Sequence, residues 1–178
     1  MSALRTTLVL GGARSGKSTY AEALVSGAGS EALYLATAEA GDGEMAERIA
    51  LHRERRGAGW ITVEEPLALR EVLRHHDAAG RPILVDCLTL WLSNLMAAGL
   101  DPAVEAAALC AALPNLASPV VLVSNEVGLG LVPDTPLGRR FRDAQGRLNQ
   151  AVAAAVPSVV FVAAGLPLIL KSPEKEPA

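Results

Sequence analysis

Gly11-x-x-x-x-Gly16-Lys17-Ser18 follows directly on the apolar run Thr7-Leu-Val-Leu10. Glycines let a backbone turn tightly and aim successive N–H groups at phosphate oxygens, and a following helix presents the positive end of its dipole to the same anion. Lys17 is spaced to reach the β- and γ-phosphates, and Ser18 to put its hydroxyl on a Mg²⁺ ion that bridges them. The whole stretch of Gly11, Gly12, Ala13, Arg14, Ser15, Gly16, Lys17 and Ser18 is therefore a candidate phosphate-binding loop. Its frame agrees: β-formers precede it, and Thr19-Tyr-Ala-Glu-Ala-Leu-Val25 continues as a helix.

Asp86 closes a second apolar run, Ile83-Leu-Val85. At the carboxyl end of a parallel strand near such a loop, an acid can hold Mg²⁺ directly or through water, or accept a proton from a substrate hydroxyl. The sequence leaves these roles open, beside a plainer one as N-cap of a helix starting at Leu88.

Between Asp42 and Arg56, Arg48, His52 and Arg56 recur every four residues. In a single helix they share a face with Met45 and Ile49, so the imidazole stands between two guanidinium groups on a face suited to a polyanion. Flanking arginines disfavour the imidazolium and keep a neutral ring nitrogen available as nucleophile or base. By residue type alone, an exposed Arg/Glu helix with one incidental histidine fits equally. His75 and His76 stand near a predicted helix end, where they complement the dipole and read as structural. Ser124-Asn-Glu-Val-Gly-Leu-Gly130 follows another apolar run and serves either ligand contact or a simple chain turn.

The elements that must position these groups are legible in short aliphatic runs at Leu8 to Leu10, Ala32 to Ala36, Ile83 to Asp86, Val120 to Ser124 and Val159 to Ala163. The runs are continuously apolar and separated by helix-length segments. They predict an α/β, three-layer P-loop nucleotide-binding fold with a mostly parallel sheet covered by helices on both faces. Helices are expected from Leu67 to His76 after Pro66, from Asp101-Pro102 to near Leu113, and from Leu137 to Val156. With 178 residues and 51% hydrophobic content, one domain over 1–171 is expected, followed by a disordered polar tail over 172–178.

The net charge of −3 and the absence of a basic block argue against a nucleic-acid partner. Cys87 and Cys110 have no metal-ligand spacing and read as buried free thiols. No N-terminal export signal and no run of about 18 apolar residues is visible, so a cytoplasmic protein without a membrane span is expected.

Taken together, the chain resembles the bifunctional adenosylcobinamide kinase and adenosylcobinamide-phosphate guanylyltransferase family of cobalamin biosynthesis over nearly its whole length. The match rests on Gly11-Gly-Ala-Arg-Ser-Gly-Lys-Ser18, Tyr34-Leu-Ala-Thr-Ala38, Glu44-Met-Ala-Glu-Arg-Ile49 and His52-Arg-Glu-Arg-Arg56. It continues through Trp60-x-Thr62-x-Glu64, Ser124-Asn-Glu-Val-Gly-Leu-Gly-Leu-Val-Pro133 and Gly138-Arg-Arg-Phe-Arg-Asp143.

The resemblance implies two reactions on one nucleotide site. ATP or GTP phosphorylates adenosylcobinamide. GTP then gives up GMP, through a guanylyl-histidine, to adenosylcobinamide phosphate. His52 matches the nucleophile, with Lys17 as the second catalytic group. Ala36, Thr37, Ala38, Arg53, Glu54, Arg55, Arg56, Glu64 and Asp86 join the loop as nucleotide contacts, and Ser18 and Asp86 stand on the Mg²⁺. A carboxylate such as Glu64 can accept the guanine N1–H and N2–H₂ donors. The resemblance also implies a homotrimer and no tightly bound organic cofactor.

Two departures bear on the site. Gly57 stands where the family often has proline, and Asp86 where some relatives have glutamate, which favours a water-mediated metal contact. Gly41, Gly43, Gly57 and Gly59 would let the segment from Asp42 to Trp60 approach bound nucleotide. A phosphate loop by itself serves equally a small-molecule kinase without guanylyl transfer, or a GTP-dependent switch protein.

Overall fold

The computed structural model describes residues 4–28, 31–38 and 59–173. His52, Arg53, Glu54, Arg55 and Arg56, the helical face expected around them and the 174–178 part of the expected tail lie outside the described residues.

Six strands run parallel: β1 (Thr7–Gly11), β2 (Ala32–Ala36), β3 (Trp60–Glu64), β4 (Ile83–Asp86), β5 (Val120–Asn125) and β6 (Ser158–Ala163). A seventh, β7 (Leu166–Lys171), returns antiparallel on β6, and the order across the sheet is β3-β2-β4-β5-β1-β6-β7. The five aliphatic runs are all strands. β7 was not foreseen from the sequence.

The helices among the described residues are α1 (Lys17–Ser26), α2 (Leu69–His75), α3 (Leu88–Ala97), α4 (Pro102–Ala112) and α5 (Pro136–Ala155), with a 3-10 turn at Leu113–Asn115. Side chains alternate across a strand, so each strand feeds two separate apolar clusters. Leu8, Leu10, Leu33, Leu35, Ile83 and Leu122 meet Leu69, Trp91, Leu95 and Leu109 on the face covered by α2 to α5. Val9, Ala32, Ala36, Val121 and Val123 turn to the other face, beneath Ala21 and Val25 of α1. On this second face α1 follows the phosphate loop down onto β4, β5, β1 and β6. Each fully buried leucine contributes roughly 1.5–3 kcal/mol, so a continuous aliphatic strand has a use for both its faces.

Local chemistry sets the helix starts. Asp101 accepts the Ala103 amide at 2.8 Å ahead of Pro102, as expected. Thr135 does the same for Gly138 at 3.0 Å. Helix α2 begins at Leu69 and not at Leu67, because Glu65 Oε1 accepts the amides of Leu67 and Ala68 at 2.9 and 2.8 Å and holds them in a preceding turn. The N-cap of α3 is Cys87, without a side-chain bond, so Asp86 is not the cap of that helix.

Cys87 is buried, whereas Cys110 is only partly so, a correction to the expectation of two buried thiols. Helix α5 has no basic residue in its own last turn. Lys171 of β7 supplies one, donating to the carbonyls of Ala153, Ala154 and Val156 at 3.0, 3.3 and 2.7 Å.

Candidate active site

Six parallel strands end on the same edge, and register fixes which residues meet there. Ala36 pairs with both Glu64 and Asp86, Asp86 with Val123, and Gly11 with Asn125. The edge thus carries Glu64, Ala36, Asp86, the Ser124-Asn125 corner and the phosphate loop in one line, all singled out from sequence.

The loop from Gly11 to Ser18 turns from β1 into α1 through positive φ at Arg14 (55°) and Gly16 (94°). The Ser15 amide donates to Gly12 O at 3.3 Å, and Tyr20 N to Gly16 O at 3.0 Å starts the helical ladder. A Cβ on Gly11 would lie 2.5 Å from both Ser15 Oγ and Val162 O, so the first position admits no side chain unless its neighbours move. Gly165, in the tight β6–β7 turn, donates its amide to Ser15 O at 2.8 Å and braces the loop from outside. On the opposite flank Glu126 N donates to Gly11 O at 3.1 Å.

This cradle fits a phosphate chain. Ser15 Oγ is buried and has no hydrogen-bond partner among the described residues, in a loop whose helix has no acid in its first turn to repel an anion. Lys17 Nζ donates to Gly12 O at 3.1 Å and so curls back over the loop. Burial lowers its pKa, against the pull of Cys87 and of the Asp86 carboxylate. Ser18 stands half-buried in the first turn of α1. Its hydroxyl and the Asp86 carboxylate supply hard oxygen donors of the kind Mg²⁺ takes. Ala13 and Arg14 are exposed on the outer side of the loop.

Asp86 accepts a 2.9 Å hydrogen bond from the Tyr34 hydroxyl through Oδ2. Thr37, foreseen as a nucleotide contact, is fully buried, and its hydroxyl is engaged with the protein. It donates to Cys87 O at 2.7 Å and accepts from Cys87 N at 2.8 Å, while its own amide donates to Asp86 O at 3.1 Å. Asn94 of α3 holds the Thr37 carbonyl at 2.7 Å. Thr37 therefore ties the ends of β2 and β4 together behind Asp86. Ala36 is buried beside it, Ala38 is half-buried, and Glu64 is exposed at the end of β3.

The Ser124-Asn125 corner rests on a buried polar cluster. Ser124 Oγ donates to Asn149 Oδ1 at 2.7 Å, Gln145 Nε2 donates to both at 2.9 Å, and Asn149 Nδ2 donates to Asn125 O at 3.1 Å. Thr89 of α3 accepts the Asn125 amide at 2.8 Å. Sequence reasoning gave no role to Tyr34, Thr89, Gln145, Asn149 or Gly165. Each of them acts on a residue of another element, which no local pattern in the sequence specifies.

A glycine-lined loop of this geometry, at the carboxyl edge of a helix-covered parallel sheet, defines a P-loop nucleotide-binding α/β protein. Solved structures agree on the fold. PH0250 of Pyrococcus horikoshii OT3 superposes with a TM-score of 0.54 at 8% identity, covering 96% of this chain and 88% of that one. The P4 protein of bacteriophage phi6, in complex with ADP, gives 0.50 at 16% identity, over 92% of this chain and 52% of that one.

The sequence comparison is more specific. The family model described as cobinamide kinase / cobinamide phosphate guanyltransferase matches residues 7–170, and the chain belongs to that family. It is 54% identical to the bifunctional adenosylcobalamin biosynthesis protein CobP of Pseudomonas aeruginosa, over 92% of this chain and 96% of that protein. It is 42% identical to the bifunctional adenosylcobalamin biosynthesis protein CobU of Escherichia coli K12, over 92% and 98%.

Proposed function

We propose that this chain is a bifunctional enzyme of cobalamin biosynthesis that carries out both reactions of its family at one nucleotide site. The observation that carries the reading is the phosphate cradle around Ser15 and Lys17, set at the sheet edge that also presents Ala36, Glu64 and Asp86. In the kinase step the hydroxyl oxygen of adenosylcobinamide bonds to the γ-phosphorus as the β–γ bridging bond breaks and the nucleoside diphosphate leaves. In the transfer step a neutral His52 nitrogen bonds to the α-phosphorus of GTP as the α–β bridge breaks and pyrophosphate leaves. The phosphate oxygen of adenosylcobinamide phosphate then takes the GMP group, giving adenosylcobinamide-GDP and freeing His52.

Loop amides and the Lys17 ammonium stabilise the charge that develops on the leaving phosphates. Mg²⁺ arriving with GTP or ATP would be held by Ser18 and Asp86 and would neutralise charge on the phosphate oxygens. Arg53, Glu54, Arg55 and Arg56 join the loop as nucleotide contacts, and Glu64 accepts the guanine donors. The protein needs no tightly bound organic cofactor and acts in the cytoplasm. Among the described residues, no helix is long and apolar enough to cross a membrane.

The test is protein labelling with α-³²P-GTP and γ-³²P-GTP in parallel. Acid-labile label from the α-phosphate alone, lost in His52→Ala, is the expected result. Absence of label in the unaltered protein would leave a kinase without guanylyl transfer as the better reading.

We further infer a homotrimer. Support comes from the outer strand β7, where Leu166, Leu168, Ile169 and Leu170 are 56% to 72% exposed along an edge that would otherwise invite nonspecific pairing. Sedimentation equilibrium should give three times the chain mass, and Leu168→Glu should lower it. A single-chain mass in the unaltered protein would rule the trimer out.

A further inference from the structure

Asp86 is a short acid on the last residue of β4, and the terminal torsion of an aspartate is broad, so its carboxylate needs an external hold to present a fixed face. Tyr34 provides one. Its hydroxyl donates to Asp86 Oδ2 at 2.9 Å across the β2–β4 pair. The ring that carries this hydroxyl has little freedom. It is 6% exposed within the core beneath α1, and Trp60 of β3 packs edge-on against it with centroids 6.4 Å apart at 75°. The backbone beneath Asp86 is fixed separately, by the Thr37 clasp on the carbonyls of Asp86 and Cys87. Main chain and carboxylate are therefore held by two different residues of the β2 segment.

We propose that Tyr34 is a positioning residue for the metal-side carboxylate: it orients Asp86 toward the cation that accompanies the nucleotide and touches neither nucleotide nor metal itself. The inference rests on the reading of Asp86 as the metal-side acid. A residue whose only function is to fill space would be replaced by phenylalanine without consequence for the cation. A residue acting through Asp86 would not.

The test is equilibrium binding of a fluorescent, non-hydrolysable GTP analogue to the full chain, in saturating Mg²⁺ and again in EDTA. Wild type, Tyr34→Phe, Asp86→Asn and the double variant are compared. Tyr34→Phe should cut the Mg²⁺-dependent gain in affinity by roughly three- to tenfold, the scale of one net hydrogen bond, with EDTA affinity within about twofold of wild type. Asp86→Asn should cut the same gain, and adding Tyr34→Phe to it should do nothing further.

A Tyr34→Phe protein with the wild-type gain, or one whose affinity falls equally with and without Mg²⁺, would overturn the positioning role while leaving the Asp86 reading in place. Additive losses in the double variant would overturn it as well. An Asp86→Asn protein with the full Mg²⁺ gain would overturn the metal-side reading of Asp86 and this inference with it.

Discussion

The amide of Gly165 donates to the carbonyl of Ser15 at 2.8 Å, so the turn of a C-terminal hairpin holds the phosphate loop from outside. Ala164 and Gly165 both have positive φ, 53° and 77°, the backbone of a two-residue hairpin turn that matches the twist of its strands. A Cβ on Gly16 would lie 3.0 Å from Gly165 Cα, and Gly16 itself has φ 94°. The two glycines let two backbones approach where one must also leave room for phosphate.

The contact distinguishes two substitutions. Gly16→Ala adds a methyl group into the gap and forces a left-handed alanine, so it should cost about 1–2 kcal/mol from conformation alone and lose most nucleotide affinity. Gly165→Ala meets open space and keeps its amide, so it should cost about 1 kcal/mol and leave GTP affinity within about twofold. Thermal melts and fluorescent GTP titration of both variants check this. Equal losses of nucleotide affinity would show that the gap between the two turns is not what Gly16 protects.

The Thr37 hydroxyl satisfies both polar groups of the Cys87 backbone in a fully buried position. Thr37→Val keeps the shape and removes both bonds, so unfolding in urea should show a loss of about 2–4 kcal/mol. Thr37→Ser keeps the hydroxyl and should lose about 1 kcal/mol for the missing methyl group. Since the same residue sets the backbone under Asp86, the valine variant should also raise the KM for GTP. Serine and valine variants of equal stability would disprove the clasp.

What could be read in advance was what depends on nearest neighbours in sequence. The phosphate loop is a contiguous pattern, and the strands announce themselves because two-sided burial makes residues such as Ile83 to Val85 apolar without a break. Asp101-Pro102 opens its helix through chemistry confined to three residues. The seventh strand escaped notice because Leu166 to Lys171 carries an internal proline, Pro167, that is tolerated only because the strand lies at the sheet edge, a fact of topology. Thr37 was assigned to the nucleotide from resemblance. Its engagement with Cys87 fifty positions away depends on β2 and β4 being neighbours, which no local pattern specifies. The same holds for Tyr34 on Asp86 and Gly165 on Ser15.

Asp77 links two loops at the opposite end of the molecule, accepting the amides of Ser118 and Ala117 at 2.8 and 3.1 Å. Desolvation pushes its pKa up, but these amides and the Ser118 hydroxyl outweigh it and hold the carboxyl below an ordinary aspartate. A depressed folded pKa contributes stability above the unfolded value of about 3.9 and loses it as pH falls through the lower folded value. The Tm advantage of wild type over Asp77→Asn should therefore be largest at pH 6–7 and shrink toward pH 3. A constant difference across that range would mean that ionisation of Asp77 contributes nothing.

The cluster of Ser124, Gln145 and Asn149 couples α5 to the corner beside the phosphate loop, because Asn149 holds Asn125 O and the next residue, Glu126, donates its amide to Gly11 O. Asn149→Leu fits the volume but removes the acceptor for Ser124 and Gln145 and the donor to Asn125. It should cost about 2–4 kcal/mol in urea unfolding. Ser124→Ala removes two bonds from the same cluster, the one it donates to Asn149 and the one it accepts from Gln145, and should cost about 1–3 kcal/mol. Because the two residues share a bond, the double variant should lose less than the sum of the single losses. Strict additivity would mean that the two side chains act separately. If the cluster positions the corner as well as stabilising it, the Asn149 variant should also show a raised KM for GTP with kcat less affected, measured at a temperature where it is fully folded.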